Sequence, residues 1–279
     1  MWFQSILLLL GSTLALSKES GPSDFLGFKE SIIGGDVASS GQFPFEVFFR
    51  YTSKRNGKLY QCGGTLLSPN FFLTAAHCAI NMKAGHGSVM VGSTTLGRDP
   101  SAQWSPVKRA IVHPEYLVGD HAFANDIAVL EINGVSLTDK VQLVKIARND
   151  APLLSSPLAT ASGFGTYAVN AKGFVSSEHL RHVKVKLFSF AQCQRLKRFF
   201  AKTQICAGDY QKGTGPGDSG GPLLVESGSG MVQVGLTSHG PSDEYTMFNH
   251  QDRDPAVYTR VAQYCAWIEA NTNNQFRCT

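Results

Sequence analysis

Short apolar runs, most of four to six residues, recur along the chain between clusters of Gly, Pro, Asn and Ser: 43-FPFEVFFRY-51, 64-GTLL-67, 71-FFLT-74, 88-SVMVG-92, 127-IAVLEI-132, 183-VKVKLF-188, 222-PLLV-225 and 231-MVQVGL-236. Runs of this length bounded by turn residues read as strands, and the pattern predicts an all-β chain. A single helical face stands out near the end, where Val261, Tyr264, Cys265 and Ile268 follow i, i+3, i+4, i+7 spacing; this predicts a C-terminal helix. The segment 149-NDAPLLSSP-157 has two prolines and little periodicity, which marks it as the junction of two β halves. No repeat is visible at the sequence level.

The ends read differently. Residues 1–17 carry no charged side chain, and the apolar run Ile6 to Leu10 is followed by Gly11, Ser12, Thr13 and Ala15, the layout of a secretory signal cleaved after Ala15 or Ser17. The rival reading, an N-terminal anchor, has a short and interrupted apolar stretch against it. Residues 18–31, KESGPSDFLGFKES, are polar and turn-rich and read as a propeptide. The rest, 32–279, forms the folded domain, and nothing in it has the length and apolarity of a membrane span.

At 279 residues, 43% hydrophobic and 16% charged, the chain can bury a full core. The formal charge of +4 is mild, so neither nucleic acid nor a membrane surface is an expected partner. Its local arrangement is more uneven: Lys184, Lys186, Arg195, Lys197, Arg198 and Lys202 crowd the region 181–202, either as two solvated faces or as an anion-binding exosite. Six cysteines (62, 78, 193, 206, 265 and 278) in an exported chain imply three disulfides, in any of 15 connectivities. No Cys/His set has zinc-finger spacing, and no Asn-x-Ser/Thr acceptor occurs.

The chemistry gathers in four strings, in order: 32-IIGGD-36, 74-TAAHC-78, 125-NDIAVL-130 and 217-GDSGGP-222. Singly each has an ordinary reading: a strand entering a glycine turn, a packed histidine beside a disulfide, an Asx turn, a serine in a turn. Jointly, from Ile32 to about Ala270, they resemble the chymotrypsin-like (trypsin family) serine proteases. The resemblance implies two six-stranded antiparallel Greek-key barrels with a C-terminal helix, and a site in the cleft between them. A serine hydroxyl is a weak nucleophile that needs a base and a group to orient that base. The resemblance gives these roles to Ser219, His77 and Asp126, with Gly217 and Ser219 as oxyanion donors. It also implies an activation switch, in which cleavage before Ile32 frees an amino group that pairs with Asp218.

The implied disulfides are Cys62–Cys78 and Cys193–Cys206, which leaves Cys265 to Cys278. The expected function is a secreted serine endopeptidase made as a zymogen. Protein or peptide substrates, serine protease inhibitors and an activating protease are its expected partners, and the expected state is a monomer. No cofactor and no metal is expected, since 92-GSTTLGRDPSAQW-104 lacks the acidic pair with which some relatives hold calcium. The alternative is a non-catalytic homologue that binds or regulates a partner.

Three departures bear on specificity and activation. Ser31 precedes Ile32 where the family has Arg or Lys, and the nearest basic residue is Lys29, so the activating protease is unusual or further trimming follows. The primary-pocket positions read Gly213, Ser238, Gly240 and Ala256; with no carboxylate among them, an open apolar slot is expected, with cleavage after aromatic or larger aliphatic residues. Gly215 stands where the family has a cysteine, which leaves the pocket rim to packing alone, and 243-DEYTMFNHQDRD-254 is expected to be a solvated loop.

Overall fold

The computed structural model describes residues 32–97, 99–116, 123–228 and 230–279; the expected signal (1–17) and propeptide (18–31) lie outside the described residues. After a two-residue strand β1 (Asp36–Val37), the first barrel is built from β2 (Glu46–Ser53), β3 (Leu59–Ser68), β4 (Phe71–Thr74), β5 (Met82–Val91), β6 (Gln103–Val112) and β7 (Ala128–Ile132), closed in the order β2-β3-β4-β7-β6-β5. The second half contributes β8 (Leu158–Gly163), the hairpin β9 (Thr166–Asn170) and β10 (Gly173–Ser176), then β11 (Arg181–Leu187), β12 (Gln204–Gly208), β13 (Pro222–Ser227), β14 (Gly230–His239) and β15 (Ala256–Arg260). Setting the hairpin aside, its ring runs β8-β11-β12-β15-β14-β13 and closes through β13 on β8, while β1 lies against β11.

Both barrels are therefore six-stranded and antiparallel, and both follow one winding: first, second, third, sixth, fifth, fourth. The repeat lies in the topology, which fixes only inward and outward alternation and so leaves no string to match. Alternation is clearest in β11, where Val183 and Val185 are buried and Lys184 and Lys186 exposed. Each barrel has its own core, around Phe49, Leu66, Phe72 and Leu130 in the first and Val185, Ile205, Leu223 and Tyr258 in the second. A third cluster joins the halves through Phe48, Leu73, Phe164 and Leu236 and takes in the C-terminal segment.

That segment is a 3-10 turn (Val261–Tyr264) running into a helix (Cys265–Asn271), and Val261, Tyr264, Cys265 and Ile268 are all buried, as their spacing predicts. The disulfides are Cys62–Cys78, Cys193–Cys206 and Cys265–Cys278. The junction is a 3-10 turn (Leu153–Ser155) beside Asp150, which is buried and accepts from Arg260 Nε at 2.9 Å on Oδ2 and from Arg260 Nη2 at 2.5 Å on Oδ1.

The region 243–254 is not a solvated loop. Asp243 caps a short helix (Glu244–Asn249) by accepting from Thr246 N–H at 2.8 Å, and Met247 and Phe248 turn inward. Met247 and Phe248, four and five positions after the capping aspartate, cluster with buried Ile33.

Candidate active site

Strand β4 ends at Thr74, and a one-turn helix (Ala76–Ala79) then carries His77. Ala75 and Ala76 are fully buried beneath it, and Cys78 ties the turn to β3 through Cys62. Asp126 sits just before β7 on the same barrel and has no exposed surface. Its Oδ1 accepts from the His77 backbone N–H (2.9 Å), and its Oδ2 lies 2.8 Å from His77 Nδ1 and accepts from Ser238 Oγ at 2.6 Å. Thr259 Oγ1 donates to the Asp126 carbonyl at 2.9 Å.

A buried carboxylate is costly unless donors surround it, and here three face its oxygens. Because the carboxylate can only accept, the proton of the imidazole belongs on Nδ1, which leaves Nε2 free as a base. Burial pulls the His77 pKa down, but the charge and hydrogen bond of Asp126 outweigh it and hold the imidazole above its usual 6.5.

Ser219 comes from the second barrel, in the loop between β12 and β13. The loop is pinned across the cleft, where Gly63 N–H donates to the Ser219 carbonyl at 2.8 Å, and within its own barrel, where Gly220 N–H donates to the Thr237 carbonyl at 2.7 Å. The glycines are required by contact. Gly217 (φ 95°) and Gly220 (φ 81°) lie in the left-handed region, and a Cβ on Gly220 would fall 2.2 Å from Thr74 Oγ1. The Ser219 hydroxyl makes no hydrogen bond to His77; such bonds tighten once a substrate carbonyl is seated.

Asp218 is fully buried, its oxygens accepting from Gly165 N–H at 2.8 Å and Gly215 N–H at 2.9 Å. Burial raises its pKa to about 7 against those two donors. Nearby, Glu46 is also buried; Ser162 Oγ donates to its Oε2 at 2.6 Å while Oε1 has no partner, and burial pushes its pKa up to about 8. Ile32 is buried in the second barrel core, and Gly213 N–H donates to the Ile33 carbonyl at 3.0 Å.

Beside Ser219 opens a cavity of about 210 Å³, lined among others by Thr214, Pro216, Ser238, Gly240 and Met247. Two residues expected there, Gly213 and Ala256, are buried and outside its lining. The open slot expected above Gly213 is occupied by the carboxamide of buried Gln251, whose Nε2 donates to the Thr214 carbonyl (2.9 Å) and the Met247 carbonyl (3.0 Å). These bonds tie the rim that lacks a cysteine at Gly215, so packing alone does not hold it. Asp254 pairs with Lys197, and Asp252 faces His250 at 3.6 Å and Arg253 at 3.9 Å; neither lines the cavity.

The wall beyond Ser238 is His239, stacked on Phe123 (ring centroids 4.9 Å apart), while Phe123 meets the His77 ring edge-on at 6.1 Å. His239 Nδ1 lies 3.2 Å from Ser238 Oγ, and burial, helped by the Lys197 charge, lowers its pKa to about 4. Met247, Gln251 and Phe123 had no sequence signal of their own, since contact in three dimensions alone brings them to the site. Among the described residues one Cys/His group clusters closely, Cys62, His77 and Cys78, but its sulfurs are joined to each other. Lys186 pairs with Asp209 at 3.0 Å, which together with Lys197–Asp254 neutralises part of the basic region.

The Trypsin family profile matches residues 32–268, most of the chain. The chain belongs to the trypsin family of serine proteases. Among its relatives, duodenase-1 of Bos taurus is 34% identical over 272 residues, covering 95% of each chain. Mast cell protease 3 of Ovis aries is 33% identical over 279 residues, covering 98% of this chain and 97% of that one. The solved structure of GrC superposes with a TM-score of 0.73 at 27% identity, over 87% of this chain and all of the other. Similarity to serine proteases along nearly its whole length makes this trypsin-family chain a serine endopeptidase with a chymotrypsin-like fold.

Proposed function

We propose that this trypsin-family protein is a secreted endopeptidase made as an inactive precursor, with His77, Asp126 and Ser219 as its catalytic residues and a preference for aromatic or larger aliphatic side chains before the cleaved bond. The observation that carries the reading is the buried Asp126 carboxylate, held by three donors and aligned at 2.8 Å with His77 Nδ1.

Ser219 Oγ attacks the peptide carbonyl carbon as His77 Nε2 takes its proton. The carbonyl oxygen, now an anion, is received by the N–H groups of Gly217 and Ser219. Collapse breaks the C–N bond, and His77 returns the proton to the departing amine, leaving an acyl-enzyme. Water then repeats the sequence and releases the acid.

The cavity beside Ser219 supports the preference. A cavity of about 150 Å³ holds benzene, so one of about 210 Å³ takes a single ring or a branched chain. Met247 offers a thioether, soft enough to pack against either. Among the described residues no carboxylate lines the cavity, so a buried Arg or Lys would lack a partner there.

Among the described residues no cation faces buried Asp218; cleavage before Ile32 would free an ammonium that favours its charged form. Ser31 still argues for an activator that does not read a basic residue. Substrates are proteins or peptides; inhibitors of serine proteases would bind the same cleft, and the protein works as a monomer outside the cell. The test is to start the chain at Ile32 by an engineered cleavage site and profile a peptide library. Cleavage after Phe, Tyr, Leu or Met supports the reading, and dominant cleavage after Arg or Lys contradicts the preference.

A further inference from the structure

The short helix Glu244–Asn249 borders two cavities. Met247 lines the one beside Ser219; Glu244, Tyr245 and Phe248 line a second, also of about 210 Å³, which Tyr167 and Val169 of β9 line as well. The two cavities share no lining residue, so the second stands apart from the one beside Ser219.

Its chemistry favours one sign of charge. An aromatic ring is negative on its face, and three rings, Tyr167, Tyr245 and Phe248, surround the space. Glu244 adds a carboxylate that forms no ion pair among the described residues, and no Lys, Arg or His lines the cavity. The rings are held in place: Phe248 is buried and stacks with Phe174 (ring centroids 6.5 Å), and Tyr245 meets His250 at 5.4 Å. Buried Arg181, outside the lining, already lies 4.7 Å from the Tyr167 ring centroid, so a cation is seated on this aromatic group from within. Toward solvent, Tyr245 is 69% and Val169 41% exposed, two large apolar groups left in water around one concavity. Since a cavity of about 150 Å³ holds benzene, this one takes a single ring or a short branched chain together with its charged head.

We propose that this cavity binds a small organic cation, an ammonium carrying one ring or a short branched alkyl chain, with its charge beside Glu244 and its apolar part against Tyr245 and Phe248. Aromatic faces and a carboxylate around one apolar space select such a cation over a neutral group of the same shape. The site is an accessory one, and its occupation does not require that the protein cleave peptides.

Ligand-observed NMR on the protein beginning at Ile32 tests this with benzyltrimethylammonium as the probe and benzyl alcohol as its neutral counterpart. The cation should bind with a Kd on the order of 1 mM or tighter, the range for a fragment of its size, and the alcohol more weakly. Glu244→Gln should weaken the cation roughly twofold to fivefold, the scale of an exposed ion pair, and leave the alcohol unchanged. Tyr245→Ala should weaken both. Raising the salt to about 1 M should weaken the cation alone. Glu244 and Tyr245 are exposed, and Glu244→Gln keeps the shape of the side chain, so its effect reads charge rather than folding; unfolding curves of both variants check that they are intact. No binding by the wild type overturns the site. Binding that neither substitution alters places the cation elsewhere and overturns it too, and equal affinity for probe and alcohol overturns the selection for charge. Each of these results leaves the protease reading intact, since none of the residues tested lines the cavity beside Ser219.

Discussion

The carboxamide of Gln251 occupies the space that a side chain at position 213 would need: a Cβ built on Gly213 would lie 2.0 Å from Gln251 Oε1. Gly213 is thus a packing requirement of Gln251 as well as the absence of an acidic floor. Gly213→Asp should therefore not convert the protein to cleavage after Arg or Lys. It should instead destabilise by about 1–3 kcal/mol, the usual cost of overpacking. Denaturant unfolding together with P1 profiling checks both, and a stable variant that cleaves after Lys would contradict the packing.

Met247 lines the primary cavity and is itself almost fully buried. Met247→Ala should deepen the cavity and shift kcat/KM toward Trp over Leu at P1, at a stability cost of about 2–5 kcal/mol. A matched series of P1 substrates gives the shift, and an unchanged ranking would remove Met247 from the pocket.

Asp126→Asn keeps the shape but lets Nδ1 lose its carboxylate; in the Ser-His-Asp template this change lowers kcat about 10⁴-fold. Ser238→Ala removes one donor to a buried charge, and a loss of about 1.5–3 kcal/mol is the scale for such a bond, roughly 10- to 100-fold in rate. In the wild type, activity should rise with pH through one imidazole ionisation above 6.5, because Asp126 holds the His77 pKa up. His239, near 4 and neutral above it, should add no second limb. Two histidine steps between pH 5 and 8 would contradict these assignments.

Burial raises the pKa values of Asp218 and Glu46 to about 7 and about 8. Both bind more protons folded than unfolded, so stability is fully present below their unfolded pKa values and falls as pH rises from about 4 to about 8. The slope approaches about 1.4 kcal/mol per pH unit for each group. Cleavage before Ile32 should flatten the Asp218 part, and unfolding curves of both forms across that range give the comparison.

How far the chain could be read in advance depended on whether a feature was local. Strands such as 183-VKVKLF-188 and the C-terminal face through Ile268 declare themselves by spacing, because burial follows backbone geometry. The strings around His77, Asp126 and Ser219 were legible because close backbone approach at the site demands particular small residues in sequence. The pocket was not. Its shape is set by a segment far along the chain, where Asp243 caps a helix that carries Met247 inward and brings Gln251 against Gly213. The doubled winding of the barrels stayed hidden because a shared topology constrains alternation and leaves residue identity free.

The proposed mechanism rests on Ser219 being a nucleophile activated by His77 and Asp126. The stoichiometry of fluorophosphonate labelling on protein beginning at Ile32, with Ser219→Ala alongside, decides it. Close to one label per chain is expected, carried on Ser219 and absent from the variant. A folded protein beginning at Ile32 that takes up no label, or labels equally without Ser219, would contradict the assignment and leave a non-catalytic homologue as the reading.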